Sequence, residues 1–352
     1  MLNNELSVIM PNYNHGKYIG HAIEAIVTQS VQPFEIIIID DASKDNSVKV
    51  IESFAQRYSS IKFYRNSKNM GIYYTLKKAI DIASGKYIAP AAADDIILPG
   101  YYEKTLRLLA QYPEAGLCSG ISLKIDENGK TIGSIPTAVI SNKNIYLPPE
   151  KVPLYLDRYG SWINGNTTVY RRDYILEFGG FRSNLLSYTD GFLQLIIALK
   201  YGVCFVPEPL SFWRETLGGI SMDTAGNVDK TRFVINNTIN LMQSNAMSEF
   251  FSEIFIKKWK KRRHFWIGDA LAKRNKFQHQ QIINEIDQLY ADKTLLGKAF
   301  KLFSSFLNII DSNLIFLYFV MKNYHNAFFN VFMNRNIFNF KNKLKTVIKV
   351  FS

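Results

Sequence analysis

The sequence predicts an α/β protein built on a mostly parallel sheet, because short β-branched segments alternate with amphipathic segments over the first 120 residues. Four segments predict strands, at residues 6–10, 35–40, 61–64 and 87–91. Each is followed by turn residues and then by apolar residues at spacings of three and four, which is typical of βαβ units. A chain of 352 residues is long enough to bury a substantial core.

The segments between these strands predict helices that cover the sheet. In the third unit, Ile72, Leu76, Ala79 and Ile80 fall on one helical face, and we expect that helix to end at Gly85. In the first unit the predicted core residues are Ala22, Ile23, Ile26 and Val27.

The alternating pattern loosens after residue 113, where shorter strands and a hairpin at residues 126–129 are predicted. A helix over 191–201 and a strand over 203–206 follow, and Pro207–Pro209 is expected to end that strand. Beyond this point the sequence predicts helices rich in basic and aromatic residues. We therefore expect an α/β domain over residues 1–225 and a basic helical region over 226–352.

The excess of positive over negative charge is confined to the second of these regions. The net charge is +12, yet residues 1–225 carry 22 basic and 22 acidic side chains, whereas residues 226–352 carry 20 and 8. Cys118 and Cys204 each lie in an apolar segment, which favours reduced core thiols and a cytoplasmic protein over a disulfide framework. The N-terminal residues lack the pattern of a secretory signal.

Chemically informative residues follow all four predicted strands. In order along the chain they are Pro11 and Tyr13, then Asp41, then Asn69 and Gly71, and finally Asp94 and Asp95. Ligands of open α/β sheets bind beyond the carboxyl ends of the strands, so these residues predict a binding site. The sequence has no glycine-rich phosphate loop, and carboxylates that bind Mg²⁺ or Mn²⁺ offer another way to neutralise a diphosphate.

Three segments in this order carry a family resemblance: VIMPNYN, IIIIDDASKDNS and KNMGIYYTLKKAIDIASGKYIAPAAADD. With these segments the chain resembles the nucleotide-binding half of family 2 glycosyltransferases of the GT-A fold, over roughly residues 6–215. The resemblance implies a GT-A-type, Rossmann-like sheet flanked by helices. It also implies an inverting, metal-dependent transferase that uses a nucleotide-diphosphate sugar.

The resemblance assigns roles to the residues that bind the donor. Pro11 and Tyr13 match the residues that flank the nucleobase, and Asp41 matches the carboxylate that accepts the N3 proton of uracil. Asn69 and Gly71 complete this part of the donor site. From the residues alone, an Asx turn is the alternative interpretation of Asp41, and an ordinary aromatic residue at the rim is the alternative for Tyr13.

The adjacent carboxylates match the acidic element that binds the metal in this family. Asp95 corresponds to the ligand of the Mn²⁺ or Mg²⁺ that bridges the donor diphosphate, and Asp94 to a contact with ribose or sugar. The position that opens a full acidic triplet is Ala93, so Asp95 is the principal expected ligand. We expect His15 to lie in a turn and His21 to lie on a helix surface, and we do not expect either to be a metal ligand.

Inversion by direct displacement requires a base for the acceptor hydroxyl. Asp190 is the candidate, because SYTDGFLQ (187–194) is similar to the acidic position that the family places before an apolar helix. An N-cap of that helix is the alternative interpretation. Arg214 is a candidate contact for the phosphate or the acceptor.

The basic region predicts a peripheral membrane partner. Residues 257–266 join six cations to two tryptophans, a composition that suits an interfacial helix on anionic lipid. A solvated basic face whose aromatic residues pack on the α/β domain is the alternative, and no recognition fold favours nucleic acid. The apolar stretch 303–320 is interrupted by polar residues and is not expected to span a bilayer.

The sequence therefore predicts an inverting glycosyltransferase that moves a sugar from a UDP-type donor to a glycan or lipid-linked acceptor in surface polysaccharide assembly. It is expected at the inner face of the cell membrane. A scaffold protein that binds nucleotide sugars without turnover is the alternative, suggested by Ala93.

Overall fold

The computed structural model describes residues 5–263 except 136, 217–218, 226 and 261. These residues form two compact units, the first made of residues 5–183 and 189–216, the second of 184–188 and 219–263. The first unit holds a ten-stranded mixed sheet with helices packed against it. Most of the basic region, residues 264–352, including the apolar stretch 303–320, lies outside the described residues.

The four predicted strands form one parallel half of the sheet in the order β3-β2-β1-β4. Their bounds are β1 Leu6–Asn12, β2 Glu35–Asp40, β3 Ile61–Arg65 and β4 Tyr87–Pro90. All six residues of β2 are buried, as expected of a parallel strand covered on both faces. Because the strands are parallel and adjacent, the residues that follow them share one edge of the sheet.

Amphipathic helices connect these strands, as the apolar spacing predicts. They are α1 Ile19–Val27, α2 Ser47–Arg57 and α3 Ile72–Ile82. The predicted core residues of α1 are all buried, at Ala22, Ile23, Ile26 and Val27. Helix α3 packs against β1 and β2 and ends before the predicted Gly85.

The early end of α3 has a physical cause in Glu35, which is buried at the amino end of β2. Its Oε1 accepts hydrogen bonds from the main chain and the hydroxyl of Ser84 and from the hydroxyl of Ser7. Lys62 donates to its Oε2 at 2.6 Å. The chain therefore turns to an extended conformation at Ala83 to place Ser84 on the carboxylate.

The rest of the sheet mixes parallel and antiparallel strands in the order β4-β9-β6-β10-β5, with β7 on β6 and β8 on β10. The strands are β5 Ile96–Ile97, β6 Leu117–Ile125, β7 Thr131–Ser134, β8 Ile145–Leu147, β9 Val169–Arg171 and β10 Val203–Arg214. The helices of this part are α4 Tyr101–Gln111, α5 Val152–Tyr159, α6 Arg172–Glu177 and α7 Thr189–Tyr201. The hairpin predicted at residues 126–129 joins β6 to β7.

The prediction that Pro207–Pro209 ends the last strand is wrong. Strand β10 continues to Arg214, and its pairing with β6 shifts register between Phe205 and Pro209 and again before Ser211. Proline donates no ladder hydrogen bond but is compatible with a strand at such irregularities. The continuation carries Arg214 to the same end of the sheet as Asp95, whose carboxylate accepts its main-chain N–H.

Cys118 and Cys204 are both free and buried, as predicted, and they are Cα partners in the parallel β6–β10 pairing. Burial raises the pKa of both thiols, which disfavours the reactive thiolate form. They belong to the apolar core, so we assign them no chemistry.

The second unit contains two helices, α8 Ile220–Ala225 and α9 Val228–Met242, and a further helical segment over residues 253–260. Trp259 from this segment is buried, and its indole N–H donates to the hydroxyl of Tyr188 at 2.9 Å. The guanidinium of Arg263 stacks 3.9 Å from the centre of the Tyr188 ring. Within the described residues, no helix is both long and apolar enough to cross a membrane.

Candidate active site

The ends of β1 and β2 are joined by a buried polar network. The Asn12 side-chain amide donates to Asp40 Oδ1 at 2.8 Å and to the Ser43 hydroxyl at 3.2 Å. The main-chain N–H of Ser43 donates to Asp40 Oδ2, so the local turn is made by Asp40 and not by Asp41. Tyr13 follows Asn12 and is 39% exposed, which leaves its ring available at the rim.

Asp41 holds the loop that follows β3. Its Oδ1 accepts hydrogen bonds from the side-chain amide of Asn66 and the main-chain N–H of Met70, both at 2.8 Å. Its Oδ2 accepts the main-chain N–H of Gly71 at 2.8 Å. Gly71 has φ = +86°, a conformation that favours glycine. The structure thus brings together the predicted donor residues Asp41, Asn69 and Gly71, with Asn69 Oδ1 also accepting from Gly71 N–H.

Asp95 is buried beyond the end of β4, whereas Asp94 is half-buried. Asp95 Oδ1 accepts the main-chain N–H of Arg214 at 2.9 Å, and Oδ2 accepts from the Asn166 amide at 3.3 Å. Burial, reinforced by the neighbouring charge of Asp94, raises the pKa of Asp95 to about 8. A buried carboxyl of this kind has much to gain from a nearby cation.

Arg214 is largely committed to holding the Asp94–Asp95 turn. Its Nε donates to the carbonyl of Asp94 at 2.8 Å, and Nη1 donates to the carbonyl of Asp126 at 3.0 Å. The guanidinium also lies 4.6 Å from the centre of the Tyr18 ring. Arg214 therefore links the turn after β4 to the β6–β7 hairpin. Its predicted contact with phosphate or acceptor stays a prediction.

Asp190 is the second residue of α7, so the helix begins at Thr189 and Asp190 lies in its first turn. Its Oδ1 accepts the main-chain N–H of Gly191 at 2.7 Å. A Cβ atom added to Gly165 would lie only 2.2 Å from Asp190 Oδ2, which means that the carboxylate fills the space beside this glycine. Burial and the negative charge of Asp190 together raise the pKa of Tyr73 and Tyr170.

One short turn connects the candidate base to the buried acid. Gly165 contacts Asp190, and the next residue, Asn166, donates to Asp95. Both belong to a single 3-10 turn, Gly165–Thr167, which packs against β6 and α7. Asp190 and Asp95 therefore contact consecutive residues of the same turn, although they are 95 positions apart in the sequence.

Some contacts of this site escaped sequence reasoning. Asn66 directly follows β3, so the rule about strand ends was sufficient to find it. Gly165 and Asn166 lie in a turn between β8 and β9, where no local pattern distinguishes them. His15 and His21 lie in the turn before α1 and on its exposed surface, as predicted. Among the described residues, no group of three or more His, Cys, Asp or Glu side chains is arranged to hold a metal.

Comparison with known proteins gives a consistent picture. Residues 7–176 match the model of Glycosyl transferase family 2. The uncharacterized glycosyltransferase YibD of Escherichia coli is 32% identical over 179 residues, which are 49% of this chain and 50% of YibD. The chain thus spans about half the length of that relative. An uncharacterized Mycobacterium tuberculosis protein, MT1568, is 27% identical over 265 residues, 72% of this chain and 82% of that protein.

Two solved structures resemble the fold. The crystal structure of S. aureus TarS 1–349 in complex with UDP-GlcNAc superposes with a TM-score of 0.57 at 15% identity, covering 87% of this chain and 88% of that one. The mannosyltransferase PcManGT of Pyrobaculum calidifontis, in complex with GDP-Man and Mn²⁺, gives 0.53 at 15% identity over 88% of each chain. These likenesses confirm the predicted α/β fold.

Proposed function

We propose that the chain, in which residues 7–176 match the model of Glycosyl transferase family 2, transfers a sugar from a nucleotide-diphosphate donor to an acceptor hydroxyl with inversion. The observation that carries this proposal is the Gly165–Asn166 turn. It contacts the candidate base Asp190 through one residue and the buried acid Asp95 through the next. Inverting transfer requires these two chemistries, a proton acceptor and a cation-binding carboxylate, close together.

The donor base is proposed to be uracil, held at the ends of β1 and β2. Each carboxylate oxygen accepts about two hydrogen bonds, so Oδ2 of Asp41, which accepts only Gly71 N–H among the described contacts, keeps capacity for the N3 proton. The exposed ring of Tyr13, two residues after Pro11, supplies a stacking surface. TarS binds UDP-GlcNAc and PcManGT binds GDP-Man, so the family fold admits more than one nucleobase.

Asp95 fits a divalent cation that is shared with the donor, and Asp94 is the proposed contact with ribose or sugar. Mg²⁺ is usually bound by one or two carboxylates together with substrate phosphates and water, and the Asp95 carboxylate meets that requirement. Burial and the neighbouring charge of Asp94 raise the pKa of Asp95, so its charged form would be stabilised by a cation bound beside it. When bound, Mn²⁺ or Mg²⁺ supplies charge neutralisation for the departing diphosphate.

The remaining chemistry belongs to the side chains of this protein. The acceptor hydroxyl oxygen forms a bond to the anomeric carbon while the bond between that carbon and the diphosphate oxygen breaks. The hydroxyl proton passes to the Asp190 carboxylate, and the electron pair of the broken bond leaves with the nucleoside diphosphate. Arg214 positions the Asp94–Asp95 turn through its hydrogen bonds to main-chain carbonyls.

The acceptor is proposed to be a glycan or lipid-linked glycan at the cytoplasmic face of a membrane, as an intermediate of surface polysaccharide. The support is the positive charge of residues 226–352. Trp259 contacts Tyr188 instead of standing free for lipid. The lysines at 257, 258 and 260 therefore support membrane attraction better than this tryptophan does.

The test is release of nucleoside diphosphate from a panel of UDP-, GDP- and dTDP-sugars, with and without Mn²⁺. We expect turnover with UDP-sugars that requires the cation and falls about 100-fold or more in Asp190→Asn. Asp173→Asn is the matched control, because Asp173 is an exposed acid in the first turn of α6. Donor binding without turnover under every condition would indicate the non-catalytic scaffold instead.

A further inference from the structure

An open groove of about 370 Å³ lies beside the candidate active site, within the first unit. One wall is the start of α3 with the loop before it, which contributes Met70, Tyr73, Tyr74 and Lys77. The opposite wall is the loop before α7, which contributes Phe181. The volume is in the range of pockets that bind small molecules and short oligomers.

The surface of this groove is aromatic and partly exposed. Tyr74, on helix α3, is 47% exposed, and Met70, on the loop before it, is 40% exposed. Polar residues would be usual at such exposed positions. Tyr73 is more buried, and the half-buried Phe181 lines the same groove from the other loop. Exposed apolar side chains gathered in one concave surface indicate a binding surface.

Hydrogen bonds connect both walls to residues of the proposed reaction. On one side, the main-chain N–H groups of Met70 and Gly71 donate to Asp41, the proposed partner of the nucleobase. On the other, the main-chain N–H of Arg182 donates to the Thr189 hydroxyl at 2.5 Å, and Thr189 directly precedes Asp190. One wall of the groove is therefore attached to a donor residue, and the other is attached to the segment that carries the proposed base.

We propose that this groove binds the acceptor as a carbohydrate, with one sugar ring stacked on Tyr74. The inference rests on the proposed function, since the acceptor must present a hydroxyl to Asp190 while its remaining rings continue along a neighbouring surface. A pyranose offers an apolar C–H face for an aromatic ring and hydroxyl groups at its edge. The aromatic wall suits the face, and the Lys77 ammonium and the Ser183 hydroxyl suit the edge.

The test uses the full chain, fluorescently labelled, on a printed array of immobilised mono- and oligosaccharides in the presence of UDP and Mn²⁺. We expect wild type to bind a defined subset of the glycans. Tyr74→Ala should weaken that binding about tenfold or more, and Tyr74→Phe should keep it, because the ring is retained. Alanine is favourable at an exposed helical position, so the variant is expected to fold.

Phe34→Ala is the matched control. Phe34 is 50% exposed, but it precedes β2 and so lies at the opposite end of the parallel strands. The Phe34→Ala variant should bind the glycan array as the wild-type protein does. Binding that persists in Tyr74→Ala, or equal losses in both variants, would overturn the groove as acceptor site.

Donor hydrolysis without acceptor separates this inference from the proposed function. Tyr74 is outside the donor machinery, so we expect Tyr74→Ala to hydrolyse the donor within twofold of wild type. A chain that hydrolyses UDP-sugar but binds no glycan on the array contradicts the groove alone. A chain that binds glycans through Tyr74 but never turns over a donor supports the groove and contradicts the transferase.

Discussion

Gly165 has no side chain where Asp190 has its carboxylate: a Cβ atom at Gly165 would lie 2.2 Å from Asp190 Oδ2. Real Cβ atoms do not approach an oxygen so closely, so any substitution at Gly165 must displace Asp190 or the turn itself. The same turn donates to Asp95 from Asn166. The observed position of the proposed base thus requires that Gly165 carry no side chain.

Gly165→Ala should therefore impair turnover more than folding. We expect nucleoside diphosphate release to fall about tenfold or more, since small misplacement of a catalytic group is costly. Gly20→Ala is the control, because its Cβ would meet Val50 at an ordinary 3.5 Å. Steady-state kinetics and circular dichroism of both variants test this, and a fully active Gly165→Ala would show that Asp190 tolerates the shift.

Asp41→Asn should weaken binding of UDP about tenfold or more. An amide nitrogen in place of one carboxylate oxygen would face a main-chain N–H of the 70–71 loop, leaving that donor unpaired. Isothermal titration calorimetry measures the change. Asp45→Asn is the matched variant, since the Asp45 carboxylate also accepts main-chain N–H groups, from Gly16 and Ser47. Equal loss of UDP affinity in both would point to general loosening of the loops.

Removal of the cation should abolish the stabilisation that UDP gives to the fold. In Mn²⁺, saturating UDP should raise the melting temperature, and chelation with EDTA should reverse most of that increase. Asp95→Asn should lose the Mn²⁺-dependent part, whereas Asp173→Asn should keep it. A UDP effect that is identical with and without Mn²⁺ would contradict the proposed role of Asp95.

The buried Glu35 carboxylate should contribute to the free energy of unfolding at neutral pH, and this contribution should be lost in acid. Burial alone raises its pKa, but hydrogen bonds from Lys62, Ser7 and Ser84 outweigh that effect and lower the pKa from 4.5 to about 2. A lowered pKa stabilises the fold above the unfolded value near 4.5, and this contribution disappears as the pH falls towards 2. Glu35→Gln should cost about 1–3 kcal/mol at neutral pH, in urea unfolding, and progressively less below pH 4.5.

A surface carboxylate provides the comparison for Glu35. Glu208 pairs with Lys104 at 2.6 Å, but the two side chains are 52% and 36% exposed. Glu208→Gln should change the free energy of unfolding by less than about 1 kcal/mol at any pH. If Glu35→Gln behaved in the same way, the buried network at the amino end of β2 would be of little energetic consequence.

Membrane attraction should depend on the lysines of residues 257–260 more than on Trp259. Reversing Lys257, Lys258 and Lys260 to Glu should abolish co-sedimentation with anionic vesicles, while neutral vesicles bind neither protein. Trp259→Phe should retain binding, because the indole is buried against Tyr188. Unchanged association after deletion of residues 226–352 from a folded chain would remove the membrane proposal.

Sequence reasoning reached the parallel half of the site because its logic is local. A continuous apolar strand such as β2 is recognisable from its sequence alone. Parallel pairing then brings the residues that follow β1, β2, β3 and β4 to one edge of the sheet. Asp41, Asn69 and Gly71 accordingly meet in the structure. The placement of Asp94 and Asp95 beyond the next strand follows from the same rule.

The contacts that escaped prediction are long-range or depend on irregular backbone. Nothing near Gly165 in the sequence indicates that its hydrogen atom faces Asp190, because the neighbour is 25 residues away. The prolines at 207 and 209 suggested an end of strand, whereas register shifts carry β10 past them to Arg214. Only that extension explains why Arg214 reaches the turn of Asp94 and Asp95.

The link made by Arg214 has a consequence for how this protein tolerates sequence change. Its guanidinium binds carbonyl oxygens of Asp94, Asp126 and Glu127, which every amino acid possesses. The exposed side chain of Glu127 at the tip of the hairpin is therefore free to vary, as long as the turn keeps its main-chain path. Insertions or deletions at residues 126–130 would have a larger effect than substitutions. They would move the carbonyl groups that bind Arg214, and a displaced Arg214 would shift the Asp94–Asp95 turn. The hairpin therefore acts as a spacer whose length matters, and its turn also depends on the Asp126 carboxylate, which accepts the main-chain N–H groups of Asn128 and Lys130, and on Gly129 at φ = +85°.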